Sequence, residues 1–180
     1  MNFNDPSAQR KDFLSRYRVM QKQELIFSYE VYDAPTSLET ADAALLEEAK
    51  KAALSAYAPY SRFRVGAAAR LLNGNLVTGS NQENASFPAG LCAERVLLST
   101  ASSLYPGVAI DSLAITYIGD QGHADHPVAP CGVCRQSLQE FEQRVKHPVR
   151  LILAGATGRI YIVSQAGSLL PLAFTSKDLA

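Results

Sequence analysis

Three cysteines, confined to two short segments, do more than any other feature to limit how this 180-residue chain folds. They lie in Cys92-Ala93-Glu94-Arg95 and in Pro130-Cys131-Gly132-Val133-Cys134, and each segment opens a stretch with helical periodicity, at about 92–104 and about 131–143. Cys131 and Cys134, spaced i, i+3, turn both sulfurs to one side of their helix, which Leu138 and Phe141 continue. If the two helix starts meet, three thiolates converge on one cation. The fourth tetrahedral position is then open to water, as in a catalytic zinc site, or taken by a histidine, as in a structural one. His123, His126 and His147 are the histidines available for the second case. A lone Cys-x-x-Cys also suits redox chemistry. Glu94 weighs toward the catalytic case, because a carboxyl beside a metal-activated water serves as the proton shuttle that hydrolysis needs. In a regular helix positions 92 and 94 point in different directions, so this reading requires the metal to sit over the helix end. A zinc ion with three thiolates is a net anion, which weakens its hold on a water's oxygen. Partial positive charge at the two helix starts offsets this, and Arg95 or Arg135 is placed to donate to a ligand sulfur.

The remaining sequence supplies a scaffold for such a site. Seventeen Lys and Arg balance seventeen Asp and Glu, so net charge gives no reason to expect nucleic acid or an anionic membrane as partner. No apolar run nears the roughly 20 residues of a membrane span, and the polar start MNFNDPSAQR lacks the apolar core of an export signal. Free thiols and no export signal predict a reducing, cytoplasmic setting. Residues 1–22 carry a basic excess and are expected to form a mobile or loosely helical tail. Leu25, Phe27, Tyr29 and Val31 alternate with more polar positions, predicting a strand over 24–32. A helix follows from a cap at Thr40 or Asp42 to about Tyr57, with Leu45, Ala49, Ala52 and Ala56 as its apolar stripe and Glu47 facing Lys51. Strands at about 63–72 and 76–82 flank Asn73-Gly74-Asn75, a strong hairpin signal. NQENASFPAG, residues 81–90, is a polar loop leading into Cys92. Further strands are expected at about 112–118, 149–155 and 159–164, with a turn near 168–170. The order predicts an α/β layered domain, helices covering a mixed sheet.

Four stretches, YAPYSRFRVGAA, NQENASFPAGLCAERV, PCGVCRQ and LLPLAF, resemble the small, three-cysteine type of cytidine deaminase, over roughly Ala41 to Leu179. The resemblance implies a three-layer domain over residues 38–180, built on a mixed five-stranded sheet with helices on both faces. Residues 1–37 are then an N-terminal extension carrying an extra strand. It implies one zinc per chain on Cys92, Cys131 and Cys134, and hydrolysis of cytidine and deoxycytidine to uridine, deoxyuridine and ammonia, a step of pyrimidine salvage. Glu94 would move protons to N3 and to the departing amino group. Asn81 and Glu83 would grip the nucleoside sugar, as an amide and a carboxylate two apart in an extended loop can. Phe63 would line the base pocket. Ala85, Phe87 and Phe174 would contact substrate across subunit boundaries in a homotetramer with shared sites. Position 87 is Phe where relatives often carry Tyr, so any hydroxyl contact is absent there. Two other readings compete: a deaminase of a modified aminopyrimidine nucleoside such as blasticidin S, and a structural zinc module.

Overall fold

The computed structural model describes residues 22–119 and 125–179. The basic positions Arg10, Lys11, Arg16 and Arg18, and His123, lie outside the described residues. In chain order the elements are β1 (Glu30–Tyr32), α1 (Thr40–Leu54), β2 (Phe63–Leu71), β3 (Leu76–Ser80), α2 (Ala93–Leu104), β4 (Ile110–Gly119), α3 (Gly132–Val145), β5 (Arg150–Ala154) and β6 (Ile160–Val163). Among the described residues no helix is long and apolar enough to cross a membrane.

The strands form one six-stranded sheet in the order β1-β6-β5-β4-β2-β3, parallel only between β4 and β5. The expected hairpin is β2 and β3, with Gly74 at φ +85° in the turn between them. Strand alternation sorts the core into two layers. Ala67, Ala69, Leu71, Leu113, Ile115, Leu151 and Leu153 face α2 and α3, which contribute Leu97, Leu98, Leu138 and Phe141. Ala68, Ala114, Ile152, Ile160 and Ile162 face α1, where Leu45, Leu46 and Ala49 meet them. The sheet is therefore covered on both faces, and β1 is the sixth strand that the five-stranded core with an added N-terminal strand calls for.

Two glycines let helices sit directly on the sheet. A Cβ on Gly66 would collide with the backbone of Ala49 and Ala53 in α1. One on Gly79 would lie 2.5 Å from the Ala93 carbonyl oxygen and 2.6 Å from the Leu97 nitrogen of α2. Gly79 thus sets the height of the helix that Cys92 precedes. Gly79→Ala is expected to lower unfolding free energy by about 1–3 kcal/mol, the range for overpacking a tight contact. A urea titration measures it, and an unchanged midpoint would show that α2 has slack there.

Several local expectations need correcting. The N-terminal strand is only Glu30–Tyr32, the stretch that pairs with Ile160–Ile162 of β6. Before Glu30 the chain is held by rings instead: Phe27 stacks on Tyr29 at 5.7 Å, and Tyr29 leans on Tyr161 at 4.9 Å. Helix α1 stops at Leu54, since Tyr57 turns aside to donate its N–H to the Asn81 carbonyl. Its buried stripe runs through Leu45, Leu46, Ala49 and Ala53, so Ala52 and Ala56 lie at its margin. Glu39, not Thr40 or Asp42, is the N-cap, and no side chain caps the helix. Asp42 instead turns inward to a two-pronged ion pair with Arg150 at 3.0 and 2.6 Å. Lys51 pairs with Glu48 and Lys50 with Glu47, so the expected Glu47–Lys51 pair gives way to i, i+3 pairs. One structural residue had no local signal. The buried Glu142 accepts backbone N–H bonds from Val149, Ala166 and Gly167 at 2.7–3.1 Å, tying α3 to β5 and the 3-10 turn Ala166–Leu169.

Candidate active site

Cys92 and Cys131 occupy equivalent places. Each is the N-cap of its helix, with extended backbone (φ −73°, ψ 154° and φ −68°, ψ 170°), and α2 and α3 begin one residue later. This removes the directional objection to pairing Cys92 with Glu94. Cys92 stands outside the helix, so its sulfur and the Glu94 carboxyl of the first turn need not obey helical spacing.

The three sulfurs lie within 4.8 Å of one another. Cys92 Sγ is 3.8 Å from Cys131 Sγ, and Cys131 Sγ is 3.6 Å from Cys134 Sγ. A tetrahedral zinc with bonds of about 2.3 Å spaces its sulfurs about 3.8 Å apart. The thiols therefore fit the ion that sequence assigned to them. Among the described residues no histidine joins the cluster. His126 Nδ1 faces the Tyr117 hydroxyl at 3.3 Å, and His147 lies past the far end of α3 with Nδ1 2.7 Å from the Pro148 carbonyl. Electrostatics points the same way. A hydrogen bond with Cys134 draws the Cys92 thiol down to about 6, helped by Cys131 and by the Arg95 charge, while that bond and burial push Cys134 up. The first thiolate forms readily and opposes a second. A bound cation is what allows all three to ionise together.

Glu94 is 5% exposed, and burial pushes its carboxyl above the usual carboxylate range, against a hydrogen bond with Cys134. Such a carboxyl holds a proton more readily than a surface acid does, as a shuttle must. Of the two arginines considered for the thiolates, Arg135 donates from Nε to the Pro130 carbonyl at 2.8 Å and from Nη1 to the Leu169 carbonyl at 3.0 Å. It thereby fixes the backbone just before Cys131. The Arg95 charge helps lower Cys92, against burial and the opposing charge of Glu94.

Cys92, Cys131 and Glu94 line a cavity of about 560 Å³, with the buried Cys134 behind them. Phe63, Asn81, Glu83 and Phe87 line it too, along with Val65, Ile115 and Val128. These last three were not foreseen, since a strand residue facing a cavity looks like one facing core. Phe63 is backed by Tyr117, ring centres 4.7 Å apart. Asn81 uses both ends of its amide, donating Nδ2–H to the Phe63 carbonyl at 2.9 Å and accepting from the Val65 N–H at 2.7 Å. Glu83 accepts from the Tyr60 N–H at 2.9 Å and the Ser61 N–H at 3.3 Å. A hydrogen bond from the Ser61 side chain, with these backbone donors, holds its carboxyl below the usual range. Asn84, to which sequence gave no role, accepts the Ser86 N–H at 2.9 Å and shapes the loop. Phe87 meets Tyr60 edge-on at 6.2 Å and is 77% exposed. Ala85 and Phe174 are exposed and lie outside the cavity lining. The Phe174 carbonyl accepts from Gln136 Nε2 at 2.8 Å.

Comparison with known proteins meets this geometry directly: residues 39–149 match the cytidine and deoxycytidylate deaminase zinc-binding region. The chain belongs to that deaminase family. A cytidine deaminase of Halalkalibacterium halodurans is 38% identical over 135 residues, 75% of this chain and 95% of that protein. One from Mycobacterium tuberculosis is 40% identical over 134 residues, 73% and 87% of the two chains. The crystal structure of cytidine deaminase from Burkholderia pseudomallei superposes with a TM-score of 0.63 at 40% identity, covering 73% of this chain and 97% of that one. The deaminase match begins at residue 39, one residue before α1, so β1 precedes it.

Proposed function

We propose that this zinc deaminase acts on cytidine and deoxycytidine, releasing ammonia, with one zinc held by Cys92, Cys131 and Cys134. The observation that carries the reading is the meeting of three sulfurs, all within 4.8 Å of one another, with the buried carboxyl of Glu94 beside one cavity of nucleoside size. Zinc bound there supplies Lewis acidity, making water a nucleophile near neutral pH. Glu94 takes the proton that this water sheds, delivers one to N3 of the ring, and passes one to the departing amine. Val65, Ile115 and Val128 provide an apolar seat for the base and keep bulk water from it, with Phe63 at its edge. Asn81 and Glu83 meet the sugar. Glu83 is anchored by backbone donors and keeps lone pairs for hydroxyl groups, and Asn81 retains one N–H and one acceptor site. Arg95 offsets the charge of the thiolates, and Arg135 steadies Cys131.

The finer parts of the reading concern setting and assembly. Ala85, Phe87 and Phe174, all exposed, suit contacts made in a homotetramer with shared sites. Residues 1–37 are an extension to the deaminase domain of 38–180. A cytoplasmic role in pyrimidine salvage fits three free thiols and a nucleoside substrate. The test is an ultraviolet absorbance assay on cytidine, deoxycytidine and cytosine side by side. Both nucleosides are expected to be turned over and the free base left nearly untouched. Equal turnover of cytosine would remove the sugar-gripping role of Asn81 and Glu83.

A further inference from the structure

We propose that Arg62 is a positioning residue for Glu83, acting through its backbone rather than its guanidinium. The proposal rests on the reading that Glu83 binds the nucleoside sugar. Arg62 has φ +55°, in the left-handed region that side chains other than Gly, Asn and Asp seldom enter. Its N–H closes a turn onto the Ala58 carbonyl at 3.1 Å. Inside that turn the N–H groups of Tyr60 and Ser61 point together at the Glu83 carboxylate. Immediately after it, Phe63 donates its N–H to Ser61 Oγ at 3.0 Å and enters β2. There the Asn81 side chain clamps the Phe63 carbonyl and the Val65 N–H. Two side chains of the polar loop are thus fixed to one short segment, Glu83 to the turn and Asn81 to the strand. The residue between these anchor points is the one that reverses backbone hand. A relaxed Arg62 would unwind the turn from the strand and take the two donors away from Glu83. Phe63, the aromatic edge of the base site, would shift with it.

The conformation can be separated from the side chain. Arg62→Gly and Arg62→Asn remove the guanidinium and accept positive φ, whereas Arg62→Ile keeps bulk and opposes it. Steady-state kinetics on cytidine with zinc-loaded enzyme, and the melting temperature of each variant, are the measurements, with Glu83→Gln in parallel. Gly and Asn are expected to keep KM within about twofold. Ile is expected to raise KM about tenfold, the scale of weakening one hydrogen bond to a charged group, with kcat nearly unchanged. Glu83→Gln should raise KM as well, and the Arg62→Ile, Glu83→Gln pair should cost less than the product of the two, since both act through one contact. A lower melting temperature in Arg62→Ile with KM unmoved would make the residue merely structural and overturn the proposal. Equal damage from Gly and Ile would place the role in the guanidinium and overturn it too. Glu83→Gln with unchanged KM would remove the sugar reading and this proposal with it. A raised KM in Glu83→Gln alone would leave the sugar reading and overturn only the role of Arg62. Should Arg62→Ile fail to fold, Arg62→Ala carries the same test: a smaller KM rise supports the proposal and an unmoved KM overturns it.

Discussion

Glu94→Gln is expected to retain its zinc and to lose deamination by about 10²–10⁴-fold, the contribution typical of a positioned general acid or base. The amide preserves the shape of a side chain that is 5% exposed, so the surrounding packing should persist. It also brings no charge into a place where burial already raises the carboxyl's affinity for a proton. The melting temperature should therefore stay at or above that of the parent. What the amide cannot do is accept a proton from water and return it to N3 and to the leaving amine. Cys92, Cys131 and Cys134 remain, so metal content measured by emission spectroscopy should be unchanged. The expected pattern is a metal-replete, folded and nearly inactive protein. Turnover within tenfold of the parent would remove Glu94 from proton transfer. Loss of zinc would instead make it a support of the metal.

Sequence revealed the residues of the site more fully than the geometry that makes them work. The i, i+3 cysteines and the Cys-x-Glu pair are local patterns, and both survive in the structure. That Cys92 and Cys131 are caps rather than helical residues is a matter of one backbone ψ at each helix start. Only that detail reconciles Cys92 with Glu94. Asn81 and Glu83 were legible as a polar pair in a loop, yet their partners lie near Tyr60, Ser61, Phe63 and Val65, in a segment that local periodicity does not connect to them. The same holds for Asp42, whose position suggests a helix cap while its partner Arg150 arrives from β5. Glu142 looks like one more polar residue of α3 until β5 and the turn after β6 close around it. The strand expected over 24–32 fails for a reciprocal reason. Alternation reports a willingness to be a strand, but the length realised is the three residues that find partners in β6.

Cys131→Ala is expected to abolish zinc binding and to lower the melting temperature by roughly 10 °C. Cys131 is exposed, so removing its sulfur leaves no core cavity and little lost packing. Any large loss of stability must then come from the metal. A cation held by the N-caps of α2 and α3 ties two helices that otherwise meet through the shared core and the hydrogen bond from Arg144 to the Ser102 hydroxyl. A ligand that binds only the folded state contributes about 4 kcal/mol when present at a thousand times its Kd. In a chain of this length each kcal/mol moves the melting temperature by about 2–4 °C. The control is the parent protein stripped with a strong chelator. Its melting temperature should fall to that of Cys131→Ala, whereas the variant should not respond to chelator at all. Agreement between the two would attribute the loss to the metal rather than to the substitution. A Cys131→Ala protein that still holds stoichiometric zinc and melts with the parent would leave the ion to other ligands. The convergence of the three sulfurs would then be a coincidence of two helix starts meeting.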